Sequence, residues 1–393
     1  MPTASMSWLL AGALAAASSQ PPAGGGRFDP PHDELSPQQR ARIDAELAAN
    51  VARLQAEGKL ATVAPWPLPL QGGLQWPLRP AAGQTDPAYH GISNFVDLDS
   101  SYPGHVLDWN CGTRSYDLAS GYNHAGIDIF LWPFAWLRMD QQAVDIVAAA
   151  PGTIIGKVDG NDDRSCPDHY SADWNAVYVQ HADGSVAWYG HMKKASLTAK
   201  PIGASVAVGE LLGKVGSAGF SSGPHLHFEN HSALTNYTIL EPWHGACNAP
   251  ASLWAAQRPY YDSAINKLAT HSAPPVFPSP NCPNPVAETP NLSDRFVAGA
   301  RVYFAAYYRD QLSAQSTAFT ITRPNGSVFA NWSFKMADAT SDPYYSAAFW
   351  YWYFDLPGNA PPGLWRFRAS YQSATYTHEF YVGDVIFANG FDG

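Results

Sequence analysis

The chain has 393 residues, 46% of them hydrophobic and 13% aromatic, and a formal net charge of −10. That length is long for one domain and supplies apolar material for more than one core. The acidic balance, with no basic run, argues against nucleic acid or an anionic membrane surface as the main partner. Only 14% of residues are charged, while 14 Trp and 20 Tyr accompany abundant Gly and Pro. This composition predicts a β-rich chain.

In chain order, Trp8 to Ala17 is a short apolar run with small residues at Ala15, Ala17 and Ser19. It is too short to span a bilayer and predicts a secretory signal peptide over 1–19, although a basic n-region is missing. A buried first helix is the alternative. No later run is long enough for a membrane span, so a secreted or periplasmic protein is expected. The four cysteines, Cys111, Cys166, Cys247 and Cys282, form no CxxC pair, which argues against a cysteine-ligated zinc site. An even number in an exported chain suggests disulfides. Proximity in sequence favours Cys111–Cys166 and Cys247–Cys282; free buried thiols are the alternative.

Residues 20–62 contain one helical pattern. Ser36 is a candidate N-cap and Pro37 fits the first turn. Ile43, Leu47, Val51 and Leu54 recur at helical spacing, and Gly58 is a natural stop. The segment reads as a pro-segment, a linker or a clamp on the domain that follows; an ordinary surface helix is the alternative.

From about Trp66 to Asn266 the pattern is short strands and turns. YNHAGIDIF offers His124 and Asp128. In a straight strand they would lie about 13 Å apart, but Gly126 permits a bend that could bring them together. Ala182-Asp183-Gly184 predicts a hairpin turn, and His191 ends its second strand. In SSGPHLHFEN, Leu226 and Phe228 alternate with His225, His227 and Glu229, the pattern of a half-buried strand. Its two imidazoles share one face at about 6.5–7 Å. Alone, each piece fits a wet strand face or a core histidine. A helix is predicted over Leu253–Leu268, kinked or split at Pro259.

Residues 271–295 read as a Pro-rich linker. Strands follow at Arg301–Tyr308, Ala318–Thr322, Val328–Phe334, Ala347–Phe354, Leu364–Tyr371 and Thr375–Val382, predicting an Ig-like β-sandwich over 296–383 and a tail over 384–393. The run Phe349–Phe354 places aromatics on both faces, one for the core and one for packing on the first domain or for binding a polymer.

Taken together, NHAGID, YGH and SSGPHLHFE, in that order, resemble the M23 family of zinc metallopeptidases, the lysostaphin-like or LytM-like peptidases of bacterial cell walls. The resemblance covers roughly residues 85 to 235. It implies an antiparallel β-sheet metallopeptidase domain, placed here over 63–270. Carried over residue by residue, it makes His124, Asp128 and His227 ligands of Zn2+, and His191 and His225 the catalytic histidines that do not bind it. It also implies metal-activated water as nucleophile, peptidoglycan or another peptide as substrate, and a monomer. Glu229 could orient a ligand imidazole or be a solvated carboxylate, and Asn123 could line the cleft. Two insertions depart from the family pattern. In FLWPFAWLRMDQQ, Trp132, Phe134 and Trp136 could wall the cleft or pack beneath it; GNDDRSCPDHYSAD carries Cys166. The alternative function is a catalytically inactive relative that binds cell wall or activates another enzyme.

Overall fold

The computed structural model describes residues 18–62, 73–164, 173–277 and 288–383. Most of the expected signal peptide, Cys166, Cys282 and the tail lie outside the described residues. The described residues are mainly β, 40% strand and 9% helix, and their sheets are antiparallel but for one short parallel pair.

A short strand β1 (Gly24–Arg27) precedes helix α1 (Pro37–Ala56). The helix starts where the sequence predicts. Gln39 N donates to Ser36 Oγ, and Ser36 N donates to the Gln39 side chain, a reciprocal cap with Pro37 in the first turn. Ile43, Leu47, Val51 and Leu54 form its buried stripe. Glu57 closes the last turn, and Gly58 follows at φ +68°, a conformation that suits glycine.

The central region contains β2 (Leu78–Pro80), β3 (His90–Asn94), β4 (Ile127–Leu131), helix α2 (Ala135–Asp140), β5 (Val144–Val147), β6 (Gly152–Val158) and β7 (Ala176–Gln180). It continues through β8 (Val186–Gly190), β9 (Ser205–Val206), β10 (Leu211–Lys214) and β11 (His225–His231). Seven of these form one sheet in the order β3-β4-β11-β8-β7-β6-β9; β10-β5-β2 form a second. β7 and β8 are the predicted hairpin. Period-two alternation sorts their side chains. Val177, Val179, Ala187, Tyr189, Leu226 and Phe228 enter the main core on one face. On the other face, Ala176, Tyr178 and Trp188 pack against α1. Gly156 makes this docking possible, because a Cβ there would lie 2.4 Å from Leu47 Cδ2. α1 therefore covers the face from which His225 and His227 project, and β11 is buried along its whole length rather than half-exposed.

The last third forms β12 (Ala264–His271), β13 (Arg295–Phe296), β14 (Arg301–Leu312), β15 (Ser316–Thr322), β16 (Val328–Lys335), β17 (Tyr344–Asp355), β18 (Gly363–Tyr371) and β19 (Ala374–Val382). Two sheets, β1-β17-β14-β12 and β13-β19-β18-β15-β16, share a core that includes Phe304, Phe319, Trp332, Trp352 and Phe367. All six strands expected here are present. The helix expected over 253–268 is not. Pro259 denies that segment a continuous helix, and Ala264–His271 instead pairs with the long strand β14, burying Ile265 and Leu268. β12 thus joins the sandwich sheet.

The aromatic insertion packs between the two regions. Phe130, Trp132 and Phe134 meet Ala305, Tyr307 and Ala347, with Phe349 and Tyr351 against them. Trp136 packs at the edge of the main core and under the Arg164 guanidinium. In β17, Trp350 and Trp352 face the sandwich core, and of its aromatic residues only Tyr353 is substantially exposed.

The disulfide joins Cys111 to Cys247, so neither expected pairing, Cys111–Cys166 or Cys247–Cys282, forms. Proximity in sequence was the wrong guide. The Trp109 and Trp243 rings stack at 6.3 Å, and Cys247 N donates to Trp109 O, which draws together loops 136 residues apart. A bridge closing so long a loop restricts the unfolded chain strongly, by roughly 2–5 kcal/mol. Replacing both cysteines with Ser is therefore expected to lower the urea midpoint clearly; an unchanged midpoint would contradict the pairing.

Candidate metal centre

Strand register assembles the site. On β11, His227 lies opposite Asp128 of β4 on one side and Gly190 of β8 on the other. His191 is the residue after Gly190, and it turns into the site from a left-handed backbone (φ +56°). That conformation costs a non-glycine residue about 1–3 kcal/mol and persists only where its surroundings enforce it. Here the His191 Nδ1 contact with Ala218 O, at 2.6 Å, does so. His124 ends a loop just before β4. Gly126 is needed there for closeness rather than for unusual dihedrals: a Cβ would lie 2.5 Å from His227 Nε2.

Each imidazole is held by one nitrogen so that the other faces the centre. His124 Nδ1 is 2.7 Å from Phe95 O, and His225 Nδ1 is 2.8 Å from Gly223 O. Both carbonyls can only accept, so these nitrogens donate and Nε2 is left bare. His227 is turned the other way. Its Nε2 is 2.9 Å from Glu229 Oε1, which leaves Nδ1 3.0 Å from Asp128 Oδ1. His124 Nε2 is 3.1 Å from Asp128 Oδ2. His225 and His191 stand together with ring centroids 4.5 Å apart. All five predicted residues are thus brought together, and all are buried.

Glu229 is not a solvated carboxylate. It is fully buried and accepts two hydrogen bonds from the Arg40 guanidinium of α1, both at 2.8 Å, while its oxygens also contact His227 and His231. His231 in turn stacks on Tyr237 at 3.9 Å. Burial pushes the Glu229 carboxyl up, but the Arg40 charge and these hydrogen bonds outweigh it and hold it well below the usual range. Asn123 points elsewhere, donating to Asp99 O.

The sequence reading missed Asp33. It belongs to the segment between β1 and α1, and it enters the middle of the site. Its Oδ2 is 2.7 Å from His191 Nε2, 2.9 Å from His227 Nδ1 and 3.8 Å from His225 Nε2. The Tyr116 hydroxyl binds its other oxygen, and the Tyr122 hydroxyl is 3.4 Å from that oxygen. Burial raises the Asp33 carboxyl, but the His227 charge and the close His191 and His227 nitrogens bring it well below the carboxylate range. At His227 burial disfavours the charged ring, yet Asp33, Asp128 and Glu229 together hold it well above the usual imidazole value. Nothing in PPHDEL marks Asp33 as special, since its partners lie far along the chain. Arg40 was hidden among the charges on the helix's polar face.

The donor set fits a divalent cation. One atom from each of Asp33, His124, Asp128 and His227 falls within 4.8 Å of the others. His124 Nε2 is buried with no hydrogen-bond partner, a costly state that a metal would relieve. Two imidazoles with one or two carboxylates suit zinc, and the hydrogen bonds on the far nitrogens are of the kind that orient metal-binding histidines. His225 Nε2 is also without a hydrogen-bond partner, and its ring stands beside that of His191.

Comparison with known proteins places residues 122–238 in the match to Peptidase family M23. The DD-carboxypeptidase/endopeptidase Mpg of Neisseria meningitidis and that of Neisseria gonorrhoeae are each 33% identical to this chain over 97 residues. That stretch is 24% of this chain and 22% of the relatives, so the match spans under a quarter of their length. Among solved structures, the catalytic domain of the prophage-encoded M23 protein EnpA from Enterococcus faecalis aligns with 22% identity and a TM-score of 0.26. The alignment covers 40% of this chain and 92% of that one.

Proposed function

We propose that this chain, which carries an M23 peptidase domain over residues 122–238, is a zinc endopeptidase that cuts peptide bonds in bacterial peptidoglycan. The observation supporting this most is the convergence of His124 Nε2, Asp128 and His227 Nδ1 on one point beside two imidazoles whose Nε2 atoms face it. His124, Asp128 and His227 would hold the ion. Bound there, zinc would supply Lewis-acid polarisation of the scissile carbonyl and activation of water near neutral pH.

The residues of the chain do the rest. Glu229, fixed by Arg40, keeps the His227 ring oriented with Nδ1 inward. Phe95 O does the same for His124. His191 and His225 receive a proton from the attacking water or donate hydrogen bonds to the developing oxyanion. Burial lowers the basicity of His191, and His225 adds to this, whereas at His225 the nearby Asp33 and Asp128 carboxylates outweigh burial and raise it.

The name of the Neisseria relative Mpg describes a peptidase of both carboxypeptidase and endopeptidase type. Peptidoglycan stem peptides or cross-links are the substrate that best joins that likeness to the site. No helix among the described residues is long and apolar enough to cross a membrane. The short apolar run at the N-terminus favours a secreted or periplasmic protein. The test uses the Asp33→Ala chain loaded with zinc, so that the carboxylate does not compete for the site. Incubated with purified peptidoglycan, it should release peptide fragments visible by mass spectrometry, and the Asp33→Ala/His225→Ala chain should not. Intact peptidoglycan after incubation with the zinc-loaded chain would favour the silent wall-binding alternative.

A further inference from the structure

Glu241 is a buried carboxyl outside the set of side chains that gather at the metal centre. It sits in the loop after β11, just beyond the residues matched to the peptidase family, and is 7% exposed. Its oxygens are taken up by two backbone amides. Val96 N donates to Oε2 at 3.1 Å and Trp243 N to Oε1 at 2.9 Å. Burial pushes the carboxyl up to about 8, Asp108 adds to the rise, and the two amides offset only part of it.

The Val96 amide is one end of a peptide group whose other end is Phe95 O. That carbonyl accepts from His124 Nδ1 at 2.7 Å, the contact that turns His124 Nε2 towards the centre. A trans peptide is planar, with its N–H and C=O pointing in opposite directions. The carboxyl therefore holds one end of a rigid plate, and the imidazole is tied to the other. A negative acceptor at the N–H drives electron density onto the carbonyl oxygen, so the two hydrogen bonds strengthen each other. The plate is fixed on its remaining sides. Phe95 N donates to Arg114 O at 2.7 Å, and Ser115 Oγ donates to Phe95 O at 2.7 Å, filling its second lone pair. The Phe95 ring packs 5.6 Å from Trp109 and 5.0 Å from Trp243, whose loops the Cys111–Cys247 bridge ties together. Asp97 N donates to His124 O at 2.8 Å, so this segment grips His124 by backbone as well as by side chain.

We propose that Glu241 is a positioning residue for the metal centre: through the Phe95–Val96 peptide it fixes and polarises the carbonyl that orients His124. This rests on the metallopeptidase reading above and deepens it. His227 is supported directly by the Glu229 carboxylate, and His124 is supported by the Glu241 carboxyl with one peptide group interposed. Both arrangements make the metal-facing nitrogen a better donor to a cation, the effect expected of a carboxylate behind a ligand histidine. Asn248 Nδ2 donates to Glu241 O at 3.0 Å, which holds the loop in place for this task.

The test uses the full chain with isotope-labelled histidine, metal-free and zinc-loaded. Spectra are recorded on the alkaline side of the Glu241 value, where the wild-type carboxylate is ionised. Glu241→Gln keeps the size of the side chain, loses the charge and can accept from only one of the two amides. Its His124 Nδ1–H proton resonance should move upfield, while that of His225 Nδ1–H, held by Gly223 O outside this relay, should stay in place. Zinc should be held about tenfold more weakly in chelator competition, the low end of the range for such partners. Glu241→Ala removes both acceptors and should exceed the Gln variant in both readouts; if it fails to fold, the Gln variant carries the test. An unmoved His124 resonance with wild-type zinc affinity in folded Glu241→Gln would overturn the proposal. Equal movement of the His124 and His225 resonances would also overturn it, because that is general loosening. A shifted His124 resonance in the metal-free variant, beside a wild-type chain that takes up no zinc, would support the relay and contradict the metallopeptidase reading.

Discussion

Replacing His225 with Ala is expected to leave one zinc per chain and to lower peptide hydrolysis by roughly 10²–10⁴-fold, the usual weight of a positioned acid or base. His191 should behave alike, and Asn is the better replacement there because it tolerates the left-handed backbone at φ +56°. His124→Ala, Asp128→Ala and His227→Ala should differ in kind. Each removes a donor from the ligand set, so zinc and turnover should be lost together. The contrast follows from ring orientation. His225 and His191 are each held through Nδ1 by a backbone carbonyl, and neither is among the four residues whose atoms gather around His124 Nε2. Zinc content measured beside initial rates on the Asp33→Ala background would separate the classes. A His225→Ala chain that loses its zinc would show that the two roles are misassigned.

Arg40→Ala should be the most damaging substitution outside the site itself. Glu229 is fully buried, and Arg40 supplies both of its guanidinium hydrogen bonds. Removing one partner of a buried ion pair strands the other charge, at a cost of about 3–5 kcal/mol. Loss of the guanidinium also frees Glu229 to rotate, so the His227 ring is less well oriented. A partner of this type is typically worth 10–100-fold in metal affinity. Urea unfolding should therefore show a large loss of stability, and chelator competition a weaker metal site. Adding Glu229→Gln to Arg40→Ala should recover part of the stability by removing the stranded charge, but not the metal affinity. Equal stability of wild type and Arg40→Ala would mean that solvent replaces the guanidinium and that α1 is an ordinary surface helix.

What the sequence made legible follows from how local each signal is. Ser36, Pro37, Gln39 and the apolar stripe of α1 act within a few residues, and the helix appears at the expected place. Strands of the sandwich announce themselves by alternation and turns. His225 and His227 share a strand face by simple periodicity, and the resemblance to M23 peptidases joined them to His124, Asp128 and His191. The failures are all long-range. Which cysteines meet depends on the stacking of Trp109 on Trp243, and no spacing rule contains that. Ala264–His271 carries enough helix-forming residues to mislead, and only the open edge of β14 decides for a strand. Asp33 and Arg40 act on residues more than ninety and more than a hundred and eighty positions away. Their functions emerge only when a glycine strand on the sandwich and a helix on the sheet face are both in place.

The most direct measurement is anomalous diffraction at the zinc edge from crystals of the zinc-loaded chain. The account predicts one strong peak bounded by His124 Nε2, Asp128, His227 Nδ1 and the Asp33 carboxylate. Density showing no ion at that point, or an ion held elsewhere with these four side chains turned away from each other, would contradict it.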